Sequence, residues 1–268
     1  AIDPERGWGL RDETWRSMES LARYVGVRPE GSSAAPTWFN LGDQDLATHF
    51  YRTARCAEGA SLTDVTAEIS RAWQLPQQLL PMADQPVSTM VTLATDDEFG
   101  GRAGHEISFQ EYFVQRRHGV PITKVRFQGA AGATLTTPAH RALADARTVV
   151  IAPSNPIVSI GPIRALAGVD HLLAARRSSV VAISPIVGGA ALKGPADRML
   201  EELGHEASVV GVARLYAPIS GTLVIDPVDA HLAEAVRAEG IEPLVVPSIM
   251  ADPAVATALA RAVLDAST

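Results

Sequence analysis

Residues 148–163 read Thr148-Val149-Val150-Ile151-Ala152-Pro153-Ser154-Asn155-Pro156-Ile157-Val158-Ser159-Ile160-Gly161-Pro162-Ile163. The first four residues form an apolar, β-branched run, which is typical of a strand buried in a sheet. The residues that follow are rich in Ser, Asn, Pro and Gly, which favour turns. A buried strand that runs through such a loop into a helix is the building unit of an α/β fold.

The same unit recurs towards the end of the chain. Three further apolar, β-rich runs, at 180–183, 223–225 and 244–246, are separated by stretches with helical character, and a last helix is predicted at 253–266. Strands that alternate with helices indicate βαβ units around a parallel sheet. We therefore expect an α/β fold with a Rossmann-like, doubly wound, mostly parallel sheet.

The first third of the chain has helical periodicity instead. Apolar residues recur at helical spacing after Asp12 and again after Asp43, and Ser61-Leu62-Thr63-Asp64 is the pattern of a capping box at the start of a third helix. Runs at 90–93 and 105–109 indicate two strands joined by an acidic, Gly-rich tip. We expect one domain over residues 1–268, with a helical part at about 1–87 and an α/β part at about 88–268.

Composition excludes several classes of protein. The formal net charge of −7 argues against a nucleic-acid-binding protein, because such binding depends on neutralising phosphates. We find no apolar run of the length that crosses a membrane and no signal peptide at the start, so the cytoplasm is the expected location. Cys56 is the single cysteine, which excludes an internal disulfide and a cysteine-cluster metal site.

Two segments of the α/β part are candidates for binding a phosphate. Ligands of open α/β sheets gather where strands end, and the loop 153–161 combines amide donors with a helix N-terminus. It is not a Walker motif, because no Gly-Lys-Ser/Thr follows, and the alternative is that these are turn residues only. Lys193, which follows a Gly-rich turn, either steadies a diphosphate or is a solvated loop lysine.

A third group lies in the helical part. Gly7-Trp8-Gly9 places a tryptophan between glycines, whose ring either presents a face to a planar heterocycle or packs in the core. Asp43 and Asp45 are candidates for a catalytic base or for magnesium ligands, because hard cations prefer oxygen. Their alternative is an ordinary role at the start of a helix. The catalytic base is therefore not identified from the sequence.

In this order the segments resemble the 2-phospho-L-lactate transferase and phosphoenolpyruvate transferase family of deazaflavin coenzyme (F-420) biosynthesis. The resemblance is carried by Gly7-Trp8-Gly9 and by residues 41–49, 80–82, 84–89, 109–111, 153–163 and 184–186. Each string is short, but they are collinear across nearly the whole chain. Family members usually have a strand and a Gly-rich loop before the Gly-Trp-Gly region, so we expect a further strand of the sheet to precede Ala1.

The resemblance implies a transferase that acts on small molecules. A phosphoenolpyruvyl or 2-phospholactyl group would move from a guanosine diphosphate-linked donor to the ribityl hydroxyl of 7,8-didemethyl-8-hydroxy-5-deazariboflavin (Fo), and GMP would be released. It also implies Mg²⁺ as the cofactor and a homodimer. The arginine- and alanine-rich composition, which is common in actinobacteria, favours the enolpyruvyl donor.

The resemblance also assigns residues to the two substrates. For the deazaflavin they are Trp8, Gly9, Asp12, Asn40, Gly42, Asp84 and Ser88. For the nucleotide and its diphosphate they are Pro153, Ser154, Asn155, Pro156, Ser159, Gly161 and Lys193. No metal ligand is assigned.

Two rival functions are compatible with an α/β fold. A non-catalytic regulatory protein that binds a nucleotide sugar would share the phosphate-binding loops, but it needs no deazaflavin pocket. A Rossmann oxidoreductase is disfavoured, because no Gly-x-Gly-x-x-Gly follows any of the predicted strands. The transferase is therefore the favoured interpretation.

Overall fold

The computed structural model describes residues 13–30, 32 and 34–266. These residues form two compact units. The helical unit holds the described residues up to Pro81 together with Phe113–Arg117, and the α/β unit holds Met82–Tyr112 and the described residues from His118 onwards.

Three helices form the frame of the helical unit: α1 Arg16–Ala22, α2 Asp43–Ala57 and α3 Leu62–Ala72. Ser61 is confirmed as the N-cap of α3, because its hydroxyl accepts a hydrogen bond from the Asp64 amide at 3.0 Å. Few apolar side chains are buried in this unit. Met18 of α1 and Val65 of α3 are buried, whereas α2 buries none of its fifteen residues.

The described residues of the α/β unit form nine strands and seven α-helices. The strands are β1 Ser88–Leu93, β2 Glu106–Ser108, β3 Ile122–Gln128, β4 Val149–Ile151, β5 Val180–Ile183, β6 Ile186–Val187, β7 Ala190–Ala191, β8 Thr222–Ile225 and β9 Glu242–Val245. The helices are α4 Thr137–Asp145, α5 Gly161–Arg164, α6 Val169–Ala175, α7 Ala196–Glu202, α8 Val209–Tyr216, α9 Ala233–Ala238 and α10 Pro253–Asp265. A π-helical turn, Pro156–Ile160, leads directly into α5.

The central sheet is parallel, with the strand order β4-β5-β8-β9. Every residue of β5 and β8 is buried, as the continuous apolar runs predict for strands covered on both faces. Helices of the unit, α8 among them, contribute to the apolar core around these strands. The predicted α/β fold with a mostly parallel sheet is therefore confirmed.

A second sheet is antiparallel, with the order β2-β1-β3. The predicted pair of strands is confirmed by the register of β1 and β2, in which Val91 faces Ile107. The sequence analysis did not predict β3, which pairs with β1 along its whole length. Only Ile122 of β3 is buried and its charged residues are exposed, so this strand lacks the apolar run by which the other strands are recognised.

No single described helix meets the two requirements for a membrane span, sufficient length and sufficient apolarity. One bent pair of short helices, Pro156–Arg164 with Val169–Ala175, meets them on length and composition alone.

Candidate functional site

Polar side chains follow all four strands of the parallel sheet at the edge where the strands end, which we call the carboxyl edge. Ser154 and Asn155 follow β4, Ser184 follows β5, Asp226 and Asp229 follow β8, and Ser248 follows β9. Open α/β sheets bind their ligands at this edge. The carboxyl edge is therefore the candidate site of the α/β unit.

The loop after β4 is organised by Asn155. Its side-chain oxygen accepts hydrogen bonds from the amides of Ile157 at 2.9 Å and Val158 at 3.2 Å, and its carbonyl accepts from Ser159 and Ile160. The sequence analysis expected exposed amide donors in this loop, but Asn155 itself satisfies these four. Asn155 therefore holds the shape of the loop, as an N-cap does.

The other predicted residues of this loop differ in accessibility. Pro156 is buried, Pro153 and Ser154 are half-buried and Ser159 is exposed. A hydroxyl donates and accepts hydrogen bonds, so Ser154 and Ser159 offer the polar groups through which this loop can meet a phosphate. Pro156 lacks an amide proton, and its burial suits packing beneath the loop.

Gly161 allows the antiparallel sheet to approach this loop closely. A Cβ atom at Gly161 would lie 2.8 Å from Cζ of Phe127, a distance that side chains do not tolerate. Phe127 of β3 pairs with Thr89 of β1, and exposed Ser88 stands one residue earlier in β1. The fold thus brings the start of β1 towards the loop after β4, two segments that the sequence analysis assigned to different substrates.

The segment before β1 is held in the same place. Gly129 has a left-handed φ of 89°, and a Cβ there would lie 2.3 Å from the carbonyl oxygen of Pro86. Only glycine permits this approach, because it has no side chain and adopts positive φ readily. Asp84, which is exposed, lies two residues before Pro86. Within the α/β unit, Asp84 and Ser88 therefore belong to one exposed segment beside β3.

The strands β6 and β7 form a hairpin after β5. Gly188 and Gly189 form its two-residue turn, with φ of 61° and 80°, which is the signature of a type I′ turn. The amide of Gly188 donates to Oδ2 of Asp229 at 2.9 Å, and the amide of Ala191 donates to Oδ2 of Asp197 at 3.3 Å. Asp229, from the segment after β8, therefore holds the turn of this hairpin, and Asp197 of α7 holds its end.

Lys193 is exposed and lies between the hairpin and α7. Its neighbourhood is tied to the loop after β4, because Nδ2 of Asn155 lies 3.5 Å from Sδ of Met199 in α7. Arg198 of the same helix donates to the buried Tyr112 hydroxyl at 2.6 Å. Helix α7 thus links Lys193 and Asn155, which the sequence analysis had assigned to one nucleotide site.

Two predicted residues of the helical unit, Gly42 and Asp43, lie at the ends of its helices. Gly42 is the buried N-cap of α2, and a Cβ there would lie 2.1 Å from Cγ of Glu13. Oε1 of Glu13 accepts from the amide of Gln44 at 3.2 Å, at the start of α2. Asn40 is exposed and Asp45 is half-buried. Trp8, Gly9 and Asp12 lie outside the described residues.

Asp43 has its oxygens engaged with α1. It accepts hydrogen bonds from the Thr14 hydroxyl at 2.5 Å and from the amides of Ser17 and Arg16 at 3.1 and 3.3 Å. These bonds, that from Thr14 above all, lower the pKa of Asp43 to about 2. A carboxylate of such low pKa is a weak proton acceptor at neutral pH, so the geometry favours a capping role over general base catalysis.

The sequence analysis did not select Asp226, Asp229 or Ser248. Asp226 joins two loops, because it accepts from the amide of Val228 at 3.2 Å and from the amide of Ser248 at 2.9 Å. The run 223–225 is followed directly by Asp226. Ligands of open α/β sheets gather where strands end. That rule points to Asp226 and Asp229 after the third parallel strand and to Ser248 after the fourth, but it was used only for the first two strands.

The described residues do not form a preassembled metal site. No three of their His, Cys, Asp or Glu side chains are grouped so as to hold an ion. Both aspartates at the carboxyl edge accept hydrogen bonds from backbone amides instead. Mg²⁺, which one or two carboxylates together with substrate phosphates can hold, therefore stays a prediction.

An open groove of about 400 Å³ lies in the helical unit, between α2 and α3. Its polar lining includes Arg55, which forms a double hydrogen bond to Glu68 at 2.9 and 3.0 Å. None of the predicted site residues is among its lining residues. The charges of Arg55 and Glu68 in this groove are therefore already paired with each other.

Comparison with known proteins covers nearly the whole chain. Residues 3–261 match the family described as 2-phospho-L-lactate transferase CofD. The chain is 42% identical over 253 residues to a phosphoenolpyruvate transferase of Mycobacterium avium (strain 104), an alignment that spans 94% of this chain and 72% of the relative. It is 40% identical over 261 residues to a phosphoenolpyruvate transferase of Mycobacterium sp. (strain JLS), spanning 97% of this chain and 76% of the relative.

A solved structure shares the fold. Protein BH3568 of Bacillus halodurans superposes with a TM-score of 0.55, over 84% of this chain and 72% of the other. The two sequences are 13% identical over the superposed part. At that identity the similarity shows a common fold and nothing about function.

Proposed function

The chain belongs to the 2-phospho-L-lactate transferase family, and from that premise we propose that it transfers a phosphoenolpyruvyl group from a guanosine diphosphate-linked donor to Fo. The observation that carries the proposal is the family match over residues 3–261. The names of the mycobacterial relatives support the enolpyruvyl over the phospholactyl group as the one transferred. The reaction would be a step of coenzyme F-420 biosynthesis.

The proposed reaction is a phosphoryl transfer in which atoms balance without a further reactant. The ribityl hydroxyl oxygen of Fo forms a bond to the phosphorus that carries the three-carbon acid. The bond between that phosphorus and the bridging oxygen breaks, and GMP leaves with this oxygen. The hydroxyl proton passes to solvent or to the phosphate of GMP. Such a reaction needs chiefly the alignment of two substrates and the neutralisation of charge.

The carboxyl edge has groups suited to the donor. Ser154 and Ser159 offer hydroxyls, and Lys193 supplies positive charge in a chain that has only one other lysine, Lys124. Asn155 keeps the loop in shape and Gly161 lets β3 approach it. In this proposal the donor's diphosphate binds along the loop after β4 and beside Lys193.

The acceptor site and the metal are proposed from the family alone. We propose that Asn40, Gly42, Asp84 and Ser88 contribute to the deazaflavin site, together with Trp8, Gly9 and Asp12. When bound, Mg²⁺ would offset the negative charge of the diphosphate. We assign Mg²⁺ no ligand and no step in the reaction. Of Asp43 and Asp45, the two candidates for a catalytic base, Asp45 remains a candidate.

The test measures transfer directly. The protein is incubated with Fo, Mg²⁺ and either guanosine-linked donor. Mass spectrometry follows GMP and the coupled product. We expect product with the enolpyruvyl donor, and light scattering on the same samples tests the proposed homodimer. Absence of product from the folded protein with both donors would contradict the transferase.

The two lysines give a matched pair of variants. Lys193→Ala is expected to raise the KM for the donor by about tenfold, the effect of losing about 1.4 kcal/mol from a charge-assisted contact. Lys124→Ala removes an exposed lysine of β3 and should leave the KM unchanged. Equal effects of the two substitutions would show that only the net charge matters. Tight binding of a uridine diphosphate sugar without binding of Fo would favour the regulatory alternative.

A further inference from the structure

Asp229 is a buried carboxylate at the carboxyl edge that the proposed reaction does not use. It lies four residues after the end of β8, and only 2% of its surface is exposed. Burial of a carboxylate is unfavourable unless it accepts hydrogen bonds. Its Oδ2 accepts the amide proton of Gly188 at 2.9 Å, so a main-chain donor from a different element stabilises it.

Gly188 belongs to the turn of the β6–β7 hairpin, together with Gly189. The hairpin ladder pairs Val187 with Ala190, so the amide of Gly188 takes no part in it and is available to Asp229. Both glycines are exposed and have positive φ. Asp229 therefore holds one end of an exposed, side-chain-free turn to the buried edge of the sheet.

The turn is connected to the donor-binding groups proposed above. Lys193 follows the hairpin, and α7, which comes next, contacts Asn155 through Met199. Among the described residues the amide of Gly189 has no hydrogen-bond partner. A turn of two glycines lets a ligand approach the backbone closely, because no Cβ stands in the way.

We propose that Asp229 is a positioning residue, which holds the Gly188–Gly189 turn in place to contact the nucleotide donor. The inference rests on the proposed function, since the donor is the ligand that this turn would meet. Asp229 itself does not touch the donor and acts through the amide of Gly188. What matters is its ability to accept a hydrogen bond, rather than its charge.

The experiment compares Asp229→Ala with Asp229→Asn. Steady-state kinetics give the KM for the donor and for Fo separately, and titration calorimetry gives the Kd of GDP without any turnover. Asp229→Ala is expected to raise the donor KM and the GDP Kd by about tenfold while the KM for Fo stays unchanged. Asp229→Asn keeps a side-chain oxygen for the Gly188 amide, so both constants should stay within about twofold of wild type.

Ser220→Ala is the control for a general loss of stability. Ser220 is buried at the opposite edge of the same two strands, and its hydroxyl bonds to the carbonyls of Val180 at 2.8 Å and Thr222 at 2.9 Å. Its removal destabilises β5 and β8 away from the proposed site, so the donor KM should not change.

Gly188→Ala changes the turn and leaves the buried carboxylate of Asp229 unaltered. If Asp229→Ala does not fold, this variant still shows whether donor binding depends on the turn. A Cβ at Gly188 would meet only Val228, at 3.9 Å, so the strain stays in the turn with its φ of 61°. We expect the donor KM to rise and the KM for Fo to stay unchanged.

Four results would overturn the inference. The first is a folded Asp229→Ala with the donor KM and GDP Kd of the wild type, and the second is an equal rise of these constants in Asp229→Ala and Asp229→Asn. The third is a rise of the donor KM in Ser220→Ala as large as that in Asp229→Ala. The fourth is an unchanged donor KM in Gly188→Ala. GDP binding and product formation by the wild-type protein show whether the inference about Asp229 fails alone or together with the proposed function. A wild type that binds no GDP and forms no product refutes both, whereas an active wild type with unaffected variants refutes the role of Asp229 alone.

Discussion

The α/β unit and the helical unit are stabilised in different ways. In the α/β unit, β5 and β8 are buried along their whole length and lie within an apolar core. In the helical unit, α2 buries none of its fifteen residues, and Phe50 keeps 70% of its surface exposed. Burial of apolar surface therefore dominates in the first unit and contributes little to α2 in the second.

Polar contacts connect the helices of the helical unit. Asp43 at the start of α2 caps α1, and Glu13 before α1 caps α2. Arg55 of α2 pairs with Glu68 of α3. Contacts of this kind depend on pH and are screened by salt, whereas apolar burial does not involve a titrating group. The two units should therefore respond to different perturbations.

Leu223→Ala should have the largest effect. Leu223 is fully buried in β8, and loss of a buried leucine side chain with the cavity it leaves costs about 4 kcal/mol. Urea unfolding followed by far-ultraviolet circular dichroism measures the change. Leu79→Ala in the helical unit is the matched control, because Leu79 is 45% exposed and its loss should change the free energy of unfolding by less than about 0.5 kcal/mol. Equal losses would contradict the comparison.

Gly211→Ala should be the next most destabilising. A Cβ at Gly211 of α8 would lie 1.9 Å from the carbonyl oxygen of Glu206, so the helix or the preceding loop must move, at a cost of about 3 kcal/mol. Gly132→Ala is the control, because a Cβ there meets no atom within 4 Å. Thermal unfolding of both variants checks the prediction, and an unchanged Tm for Gly211→Ala would show that the close approach is absent in solution.

Acid should weaken the helical unit first. Hydrogen bonds from Thr14 and from Arg55 lower the pKa values of Asp43 and Glu68, respectively, to about 2. A depressed folded pKa stabilises the fold above the unfolded value of about 4, and this stabilisation is lost as the pH falls through about 2. Both groups are half-buried and partly screened by solvent, so the effect is smaller than that of the core substitutions.

Tryptophan fluorescence between about pH 5 and pH 2 follows this transition. Trp15, Trp38 and Trp73 lie in the helical unit and no tryptophan follows Pro81, so the α/β unit contributes no tryptophan signal. Asp43→Asn cannot ionise and should lose its share of the pH dependence. A fluorescence profile identical to that of the wild type would refute the role of Asp43 as a cap.

Phe50→Ala should have the smallest effect. The ring lies on the exposed face of α2, so its removal should change the free energy of unfolding by less than about 0.5 kcal/mol. Urea unfolding monitored by tryptophan fluorescence makes the measurement. A loss of several times that size would mean that another surface covers this face in solution, and the contrast between the two units would then be weaker than the exposed fractions indicate.

The sequence was most informative where the signal is local. The parallel strands β4, β5, β8 and β9, the pair β1 and β2, and the N-cap at Ser61 were all predicted, because periodicity and caps act within a few residues. The strand β3 was missed because its side chains are mostly exposed. The residues assigned to the two substrates stay predictions, since their placement at the carboxyl edge and in the helical unit does not by itself show what they bind.

What the sequence determined alone was the class of fold and, through collinear motifs, the family. Only the tertiary structure decided which polar groups meet. Asp43 caps a helix 26 residues away, and Asp229 holds a turn 41 residues away, although each reads in the sequence as an ordinary acid beside a helix. The physical reason is that a hydrogen bond depends on distance in space, and no local pattern records which distant amide the folded chain will bring within 3 Å of a carboxylate.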